Sequence, residues 1–189
     1  MASKIFAGVD EVGRGCLAGP VISCAIILKK SINKKILKDS KTVSFKERLK
    51  IAEHIKKNSW YAIGSASVKE IDKYNIFNAS LLSMERAAKK LKRKPHIFLI
   101  DGTHAPKKLK NSKTIIKGDE KVKCISAASI VAKAFRDLYM IKLGNKYPKY
   151  KWNKNFGYGT SQHLASLKKF GVTSYHRKSY KPVYNILSR

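Results

Sequence analysis

The sequence predicts an α/β fold in which a mixed β-sheet carries helices on both sides. Three observations lead there. Runs of β-forming residues crowd the first third of the chain, at residues 5–10, Val21–Leu28 and 60–68. From residue 75 onward, helical and strand-like patterns alternate. The run Ile97–Asp101 is apolar on both faces, as befits a central strand covered from both sides.

The elements follow in order. The first two strands are separated by a glycine-rich turn, Gly13-Arg14-Gly15, with Gly19-Pro20 beyond it. Residues 44–57 read as a helix: Ser44 stands at the N-cap with Glu47 three residues later, and Phe45, Leu49, Ile51, Ala52 and Ile55 form one apolar face. After the strand at 60–68, residues 75–92 form a second helix, closed by Pro95. A lysine-rich loop at 103–112 precedes a short strand at 113–116. A long helix then runs from Asp119, or shortly after it, to about Lys146. Its Ser126-Ala127-Ala128-Ser129 segment suits close packing. A Lys/Tyr/Asn/Gly loop, a helix at 161–170 and a basic tail complete the chain. A single domain over 1–189 is expected, with about 150–189 as a C-terminal extension.

Composition narrows the function. Hydrophobic content of 43% and aromatic content of 10% exclude a disordered basic tail. The longest apolar run, Val21–Leu28, is far below the roughly 18 residues of a membrane span, and no signal peptide is expected. Cys16, Cys24 and Cys124 lack C-x-x-C spacing, which fits reduced thiols in a cytoplasm. Lys and Arg number 41 against 12 Asp and Glu, a formal charge of +29 that implies a phosphate-backbone partner. Since 34 of the 41 are Lys, charge alone does not separate an enzyme from a packaging protein.

Against that charge, four acids stand out. Asp10 and Glu11 close one apolar run, Asp101 closes another, and Asp119 follows a third after Lys117-Gly118. Hard divalent ions take such oxygen ligands, and two of them serve phosphodiester hydrolysis. Each acid taken singly reads more readily as a turn cap or loop start, and only the three together, each ending an apolar run, bring the metal reading level with that. On a regular strand Asp10 and Glu11 point to opposite faces, so sharing metal requires the strand to break there. Gly13-Arg14-Gly15 lets backbone approach a ligand, or is simply a tight connection. Tyr158, between two glycines, is either a stacking platform or structural. His163 and His176 have no partners at ligand spacing and read as surface or packing residues.

Read together, these segments resemble the bacterial type 2 ribonuclease H family. The resemblance is carried by Gly8-Val-Asp10-Glu11-Val-Gly13-Arg14-Gly15-Cys-Leu-Ala-Gly19-Pro20-Val21, by Asp39-Ser40-Lys41 and by Ile100-Asp101-Gly102. It continues through Lys117-Gly118-Asp119, the run from Ile125 to Asp137, Gly157-Tyr158-Gly159-Thr160 with His163, and His176-Arg177-Lys178-Ser179. It implies a ribonuclease H-like fold: a five-stranded mixed sheet flanked by helices, with a helical C-terminal region. Asp10, Glu11, Asp101 and Asp119 match the family's catalytic, metal-binding acids, which imply two Mg2+ or Mn2+ ions. Asp119 is preferred over the neighbouring Glu120 and over Asp137.

The implied substrates are RNA–DNA hybrids and duplex DNA carrying single ribonucleotides, cut on the 5′ side to leave 3′-hydroxyl and 5′-phosphate ends. Gly13, Arg14 and Gly15 would read the 2′-hydroxyl, and Tyr158 would pack on the next sugar. Ser40, Lys41, His176, Arg177 and Ser179 would hold phosphates. Tyr180 departs from the Phe often found there. A catalytic strand starting at residue 5, with the Gly-Arg-Gly turn, argues against the type 3 enzymes. A cytoplasmic monomer with no membrane partner is expected. The competing readings are a noncatalytic basic nucleic-acid-binding protein, and an integrase or transposase on the same fold.

Overall fold

Five strands form one mixed sheet in the computed structural model, which describes residues 4–33, 37 and 43–188. They are β1 (Phe6–Val12), β2 (Val21–Leu28), β3 (Ser59–Ala66), β4 (Ile97–Asp101) and β5 (Ser112–Ile115), in the order β3-β2-β1-β4-β5. β2 runs antiparallel to β1 and β3, whereas β1, β4 and β5 are parallel. The expected five-stranded mixed sheet is present, with β1 at its centre. β1 extends beyond the expected residue 10: Glu11 pairs with Ser23 and Val12 with Ile22, so the break that a shared metal site was expected to need is absent. Yet the charge of Asp101 still reaches both acids, and that of Glu11 reaches Asp10.

Side-chain alternation along β1 sends Ala7 and Val9 to one face and Gly8 and Asp10 to the other. On the first face α2 (Val68–Lys90) packs Met84, Ala87 and Ala88 against Ala7, Val9, Ala25 and Ile27. On the second, α1 (Phe45–Lys57) and α4 (Lys123–Lys146) enclose Cys24 and Ile26 with Ile55, Ala127, Ala128 and Val131. Ser44 caps α1 as expected, its hydroxyl accepting the Glu47 N–H at 3.2 Å.

Three helical boundaries differ from the sequence reading. α2 begins at Val68 rather than 75, because Ser67 and Glu70 form a reciprocal capping box. Asn75, at φ 65°, then kinks the helix where its start was expected. The long helix α4 starts at Lys123, shortly after Asp119 as expected, but a separate short turn, α3 (Gly118–Lys121), precedes it. The C-terminal region holds a 3-10 turn at Pro148–Tyr150, α5 (Trp152–Asn155), α6 (Ser161–Phe170) and, in place of a basic tail, α7 (Lys181–Leu187). Among the described residues no helix is long and apolar enough to cross a membrane.

This region packs against the β1–β2 connection and α4 through its own apolar cluster, in which Trp152, Leu167 and Val183 meet Leu17, Ala18 and Met140. His163 and His176 lie inside it, both fully buried, so packing and not surface is their place. The hydrogen bonds fix their tautomers. Thr173 donates its N–H to His176 Nδ1 (3.0 Å), and His176 Nε2–H faces His163 Nε2 (3.2 Å), which also accepts from Trp152 Nε1 (2.9 Å). His163 Nδ1–H then reaches the Tyr158 carbonyl at 2.9 Å.

Burial, and then the neighbouring His163, pushes the His176 pKa down from 6.5 to about 3. Stability held by the neutral ring is present above pH 6.5 and lost as the unfolded chain takes up the proton between 6.5 and about 3. Urea midpoints across this range should therefore fall more steeply for the wild type than for His176→Gln. The difference is up to about 1.4 kcal/mol per pH unit.

Candidate active site

The pairing of β1 with β4 ends at Val9–Ile100, and the acids come next on each strand. Asp10 is 5% exposed and its carboxylate accepts the Glu11 N–H at 2.7 Å. Glycine at position 8 brings α4 down onto β1: a Cβ there would stand 2.2 Å from the Cys124 carbonyl carbon. That approach sets the Ser129 hydroxyl beside Asp10, a partner the sequence reading treated only as a small packing residue. Burial, then the charge of Glu11, raises the Asp10 pKa well above the usual carboxylate range. Asp101 adds to the rise, and the Ser129 bond opposes it. Glu11 is raised by burial too, against the opposing Arg14 guanidinium at 3.3 Å.

On β4, Asp101 Oδ1 accepts the N–H of Gly118 at 2.7 Å. Gly118 is buried so tightly that a Cβ would meet Ile125 Cδ1 at 2.6 Å. The left-handed Lys117 (φ 53°) turns the chain into α3, whose first turn carries half-buried Asp119. Asp10, Glu11 and Asp101 thus stand within electrostatic reach of one another, and Asp119 follows the residue that Asp101 holds. Among the described residues no three Asp, Glu, His or Cys side chains close into a ready metal cage. Asp137 is engaged elsewhere: its carboxylate is buried between Lys133 (2.7 Å) and Arg48 (3.3 Å). Glu120 is exposed.

The Gly13-Arg14-Gly15 turn opens next to these acids. Arg136 of α4 donates to the carbonyls of Pro20 (3.1 Å), Ala18 (3.0 Å) and Phe156 (2.9 Å). The 157–159 loop joins the same connection: Leu17 N–H donates to Gly157 O at 2.8 Å, and Tyr158 bridges Cys16. Tyr158 is 38% exposed, with Lys133 Nζ 5.5 Å from its ring centre.

Of the residues expected to hold phosphates, His176 and Arg177 point inward and Ser179 is exposed. His176 and Arg177 are fully buried, and the Arg177 fork is spent on carbonyls of Gly13, Arg14 and Gly19. Ser179 gives its N–H (3.0 Å) and hydroxyl (2.6 Å) to Asp72. Guanidinium and imidazole read as anion ligands in a sequence, and only the tertiary fold turns them inward. Ser40 and Lys41 lie outside the described residues.

The donors gathered at Asp10 are all carboxylate oxygens, with a serine hydroxyl beside them, which suits hard divalent ions. A buried acid whose charge is disfavoured by two like neighbours is where such an ion relieves most repulsion. Fold and site together define a nuclease of the ribonuclease H-like α/β class.

The comparisons narrow the class. The sequence model of ribonuclease HII matches residues 7–183. The ribonuclease HII of Pelagibacter ubique is 55% identical over 186 residues, covering 97% of this chain and all of its own. The chain belongs to the ribonuclease HII family and is an endoribonuclease. Ribonuclease H2 of Pyrococcus horikoshii superposes with a TM-score of 0.83 at 25% identity, over 98% of both chains. Two more distant structures share the fold. Archaeoglobus fulgidus ribonuclease HII, solved with PCNA, has a TM-score of 0.71 at 23% identity, over 94% of this chain and 95% of its own. Bst ribonuclease HIII, solved with Mn2+, has 0.75 at 15%, over 99% and 70%.

The two outer glycines of the turn separate fold from function. Gly13 has φ +93°, and a Cβ would lie 2.1 Å from Arg136 Nε, whereas a Cβ on Gly15 meets nothing within 4 Å. Gly13→Ala should cost at least about 2 kcal/mol in urea denaturation. Gly15→Ala should stay within about 0.5 kcal/mol of wild type.

Proposed function

We propose that the chain hydrolyses the RNA strand of RNA–DNA hybrids and cuts on the 5′ side of a single ribonucleotide in duplex DNA. The products are a 3′-hydroxyl and a 5′-phosphate. One observation supports this best: the Gly13-Arg14-Gly15 turn, tied to Tyr158 through Cys16, opens directly beside Asp10 and Glu11, with Arg14 paired to Glu11 at 3.3 Å. Ribose recognition and phosphate cleavage thus share one cleft.

Asp10, Glu11, Asp101 and Asp119 would hold two Mg2+ or Mn2+ ions, which when bound supply charge to the crowded phosphate and acidify the attacking water. The chain's own residues do the rest. Ser129 and the Glu11 N–H hold the Asp10 carboxylate in place. The backbone of Gly13, Arg14 and Gly15 reads the 2′-hydroxyl, a contact DNA lacks. Tyr158 packs on the following sugar, its backbone held by His163. Arg14, with 52% of its side chain exposed, turns from Glu11 to a phosphate, and Ser40 and Lys41 add phosphate contacts. His176, Arg177 and Ser179 act by positioning, because their polar groups are already engaged. No side chain forms a covalent bond to the substrate.

In this reading residues 1–189 act as one domain, with about 150–189 contributing to the substrate surface through Tyr158. The protein works as a monomer in a cytoplasm, consistent with three buried free thiols.

A labelled DNA duplex carrying one ribonucleotide, incubated with Mg2+ or Mn2+, should acquire a single nick on its 5′ side. EDTA should abolish the nick, an all-DNA duplex should stay intact, and Asp10→Asn should cut at least ~10²-fold more slowly. Binding without cleavage under either metal would replace this reading with that of a noncatalytic nucleic-acid-binding protein.

A further inference from the structure

Arg177 and Tyr180 lie against the Gly13-Arg14-Gly15 turn, while Lys178 and Ser179 between them are exposed. Arg177 spends its donors on one short stretch: Nε and Nη2 reach Gly19 O at 3.0 and 2.9 Å, Nη2 reaches Gly13 O at 2.6 Å, and Nη1 reaches Arg14 O at 2.7 Å. Tyr180 completes the set. Its hydroxyl accepts from Arg177 Nη1 at 3.0 Å and donates to the same Arg14 carbonyl at 2.5 Å. We propose that Tyr180, acting with Arg177, is a positioning residue for ribose selection, its hydroxyl locking the Arg14 carbonyl so that the peptide N–H groups of the turn face the substrate. This rests on the proposed function.

A carbonyl oxygen has two lone pairs, and that of Arg14 already receives two donors. It can neither swing toward a ribose hydroxyl nor relax toward water. In a planar trans peptide the C=O of one residue and the N–H of the next point in opposite directions. Holding Arg14 C=O toward the buried guanidinium therefore turns Gly15 N–H away from it, and a Cβ at Gly15 would meet no atom within 4 Å, so the chain is open to a close ligand there. The Gly13 carbonyl, held by Arg177 Nη2, fixes the Arg14 N–H in the same way. Two adjacent N–H groups so turned are suited to an oxygen that accepts, such as a ribose 2′-hydroxyl.

The brace is itself anchored. Arg177 N–H donates to Leu17 O at 2.9 Å, and Ala18 bridges His176. From α2, Asp72 accepts the N–H groups of Lys178 (3.1 Å) and Ser179 (3.0 Å) and the Ser179 hydroxyl (2.6 Å). The Tyr180 ring is held independently of its hydroxyl, by the apolar clusters around Val21 and Trp152 and by the Arg177 guanidinium 5.2 Å from its centre. Replacing the phenol by Phe, the residue often found here in the family, removes this chain's second donor to the Arg14 carbonyl and leaves the packing and the Arg177 bond.

The test uses the full chain and Tyr180→Phe, reading kcat and KM on the single-ribonucleotide duplex, Kd for the all-DNA duplex, and the melting temperature. Loss of one hydrogen bond should lower kcat/KM about 5- to 10-fold. Melting temperature should fall by no more than about 2–4 °C, and all-DNA affinity should match wild type, because phosphate contacts do not use the lock. An unchanged kcat/KM beside a wild type that cuts would overturn the brace alone. An equal weakening of all-DNA binding would reduce Tyr180 to a structural residue and overturn it as well. A wild type that leaves the substrate intact with both metals overturns the brace together with the reading beneath it.

Discussion

Two buried guanidinium groups bonded to the carbonyls of the connection between β1 and β2 are the constraint on which this structure depends. A connection of this kind normally lies on the surface, where water satisfies its backbone. Here the C-terminal helices cover it, and Arg136 and Arg177 supply donors to Gly13, Arg14, Ala18, Gly19 and Pro20 in water's place. Guanidinium is the group for this task, since it stays charged when buried and offers five donors in a rigid fork. Each carbonyl left unsatisfied would cost about 1–3 kcal/mol, so the turn, α4 and the C-terminal region hold or fail together. The positive φ of Gly13 and the Arg136 side chain packed against it belong to the same arrangement.

Electrostatics couple this scaffold to chemistry. A chain with a net charge of +29 attracts a polyanion, yet the cleft beside the turn gathers its acids. Asp10 is held buried beside like charges, a configuration opposed by its own desolvation and relieved by a cation. The site is therefore kept at a cost in stability that the surrounding packing must offset, notably the close seating of α4 on Gly8. In the proposed reading, binding strength comes from the basic surface, while discrimination comes from a few backbone groups whose directions are fixed from behind.

How much of this was legible in the sequence depends on the range of the forces involved. The strands were readable because apolar runs and their terminal acids are local; so were the Ser44 cap and the helix at Ser161–Phe170. The strand leading into Asp10 is legible, but not its place at the sheet's centre, which the sequence suggests for Ile97–Asp101, nor its continuation to Val12, because pairing with β2 carries it past the acids. The α2 start was missed because Asn75 both kinks the helix and resembles a beginning. α7 was missed although Pro182 in its first turn was a usable signal. Arg136, Arg177, Asp72 and the His163–His176 pair left no local trace. Their partners are set by chain segments that meet only in the folded state, and a basic or imidazole side chain in a sequence is naturally assigned to phosphate, metal or solvent.

The most direct test of the account is a 2′-substituent series at one position of a DNA duplex (hydroxyl, fluoro, methoxy and hydrogen), cleaved by wild type and by Gly15→Ala. If fixed backbone groups of the turn read the ribose, wild type should cut the hydroxyl substrate and discriminate strongly against the other three. Gly15→Ala should fold normally and lose most of that preference by losing rate on the hydroxyl substrate. Equal cutting of the hydroxyl and fluoro duplexes by wild type, or full ribose preference retained by Gly15→Ala, would contradict it.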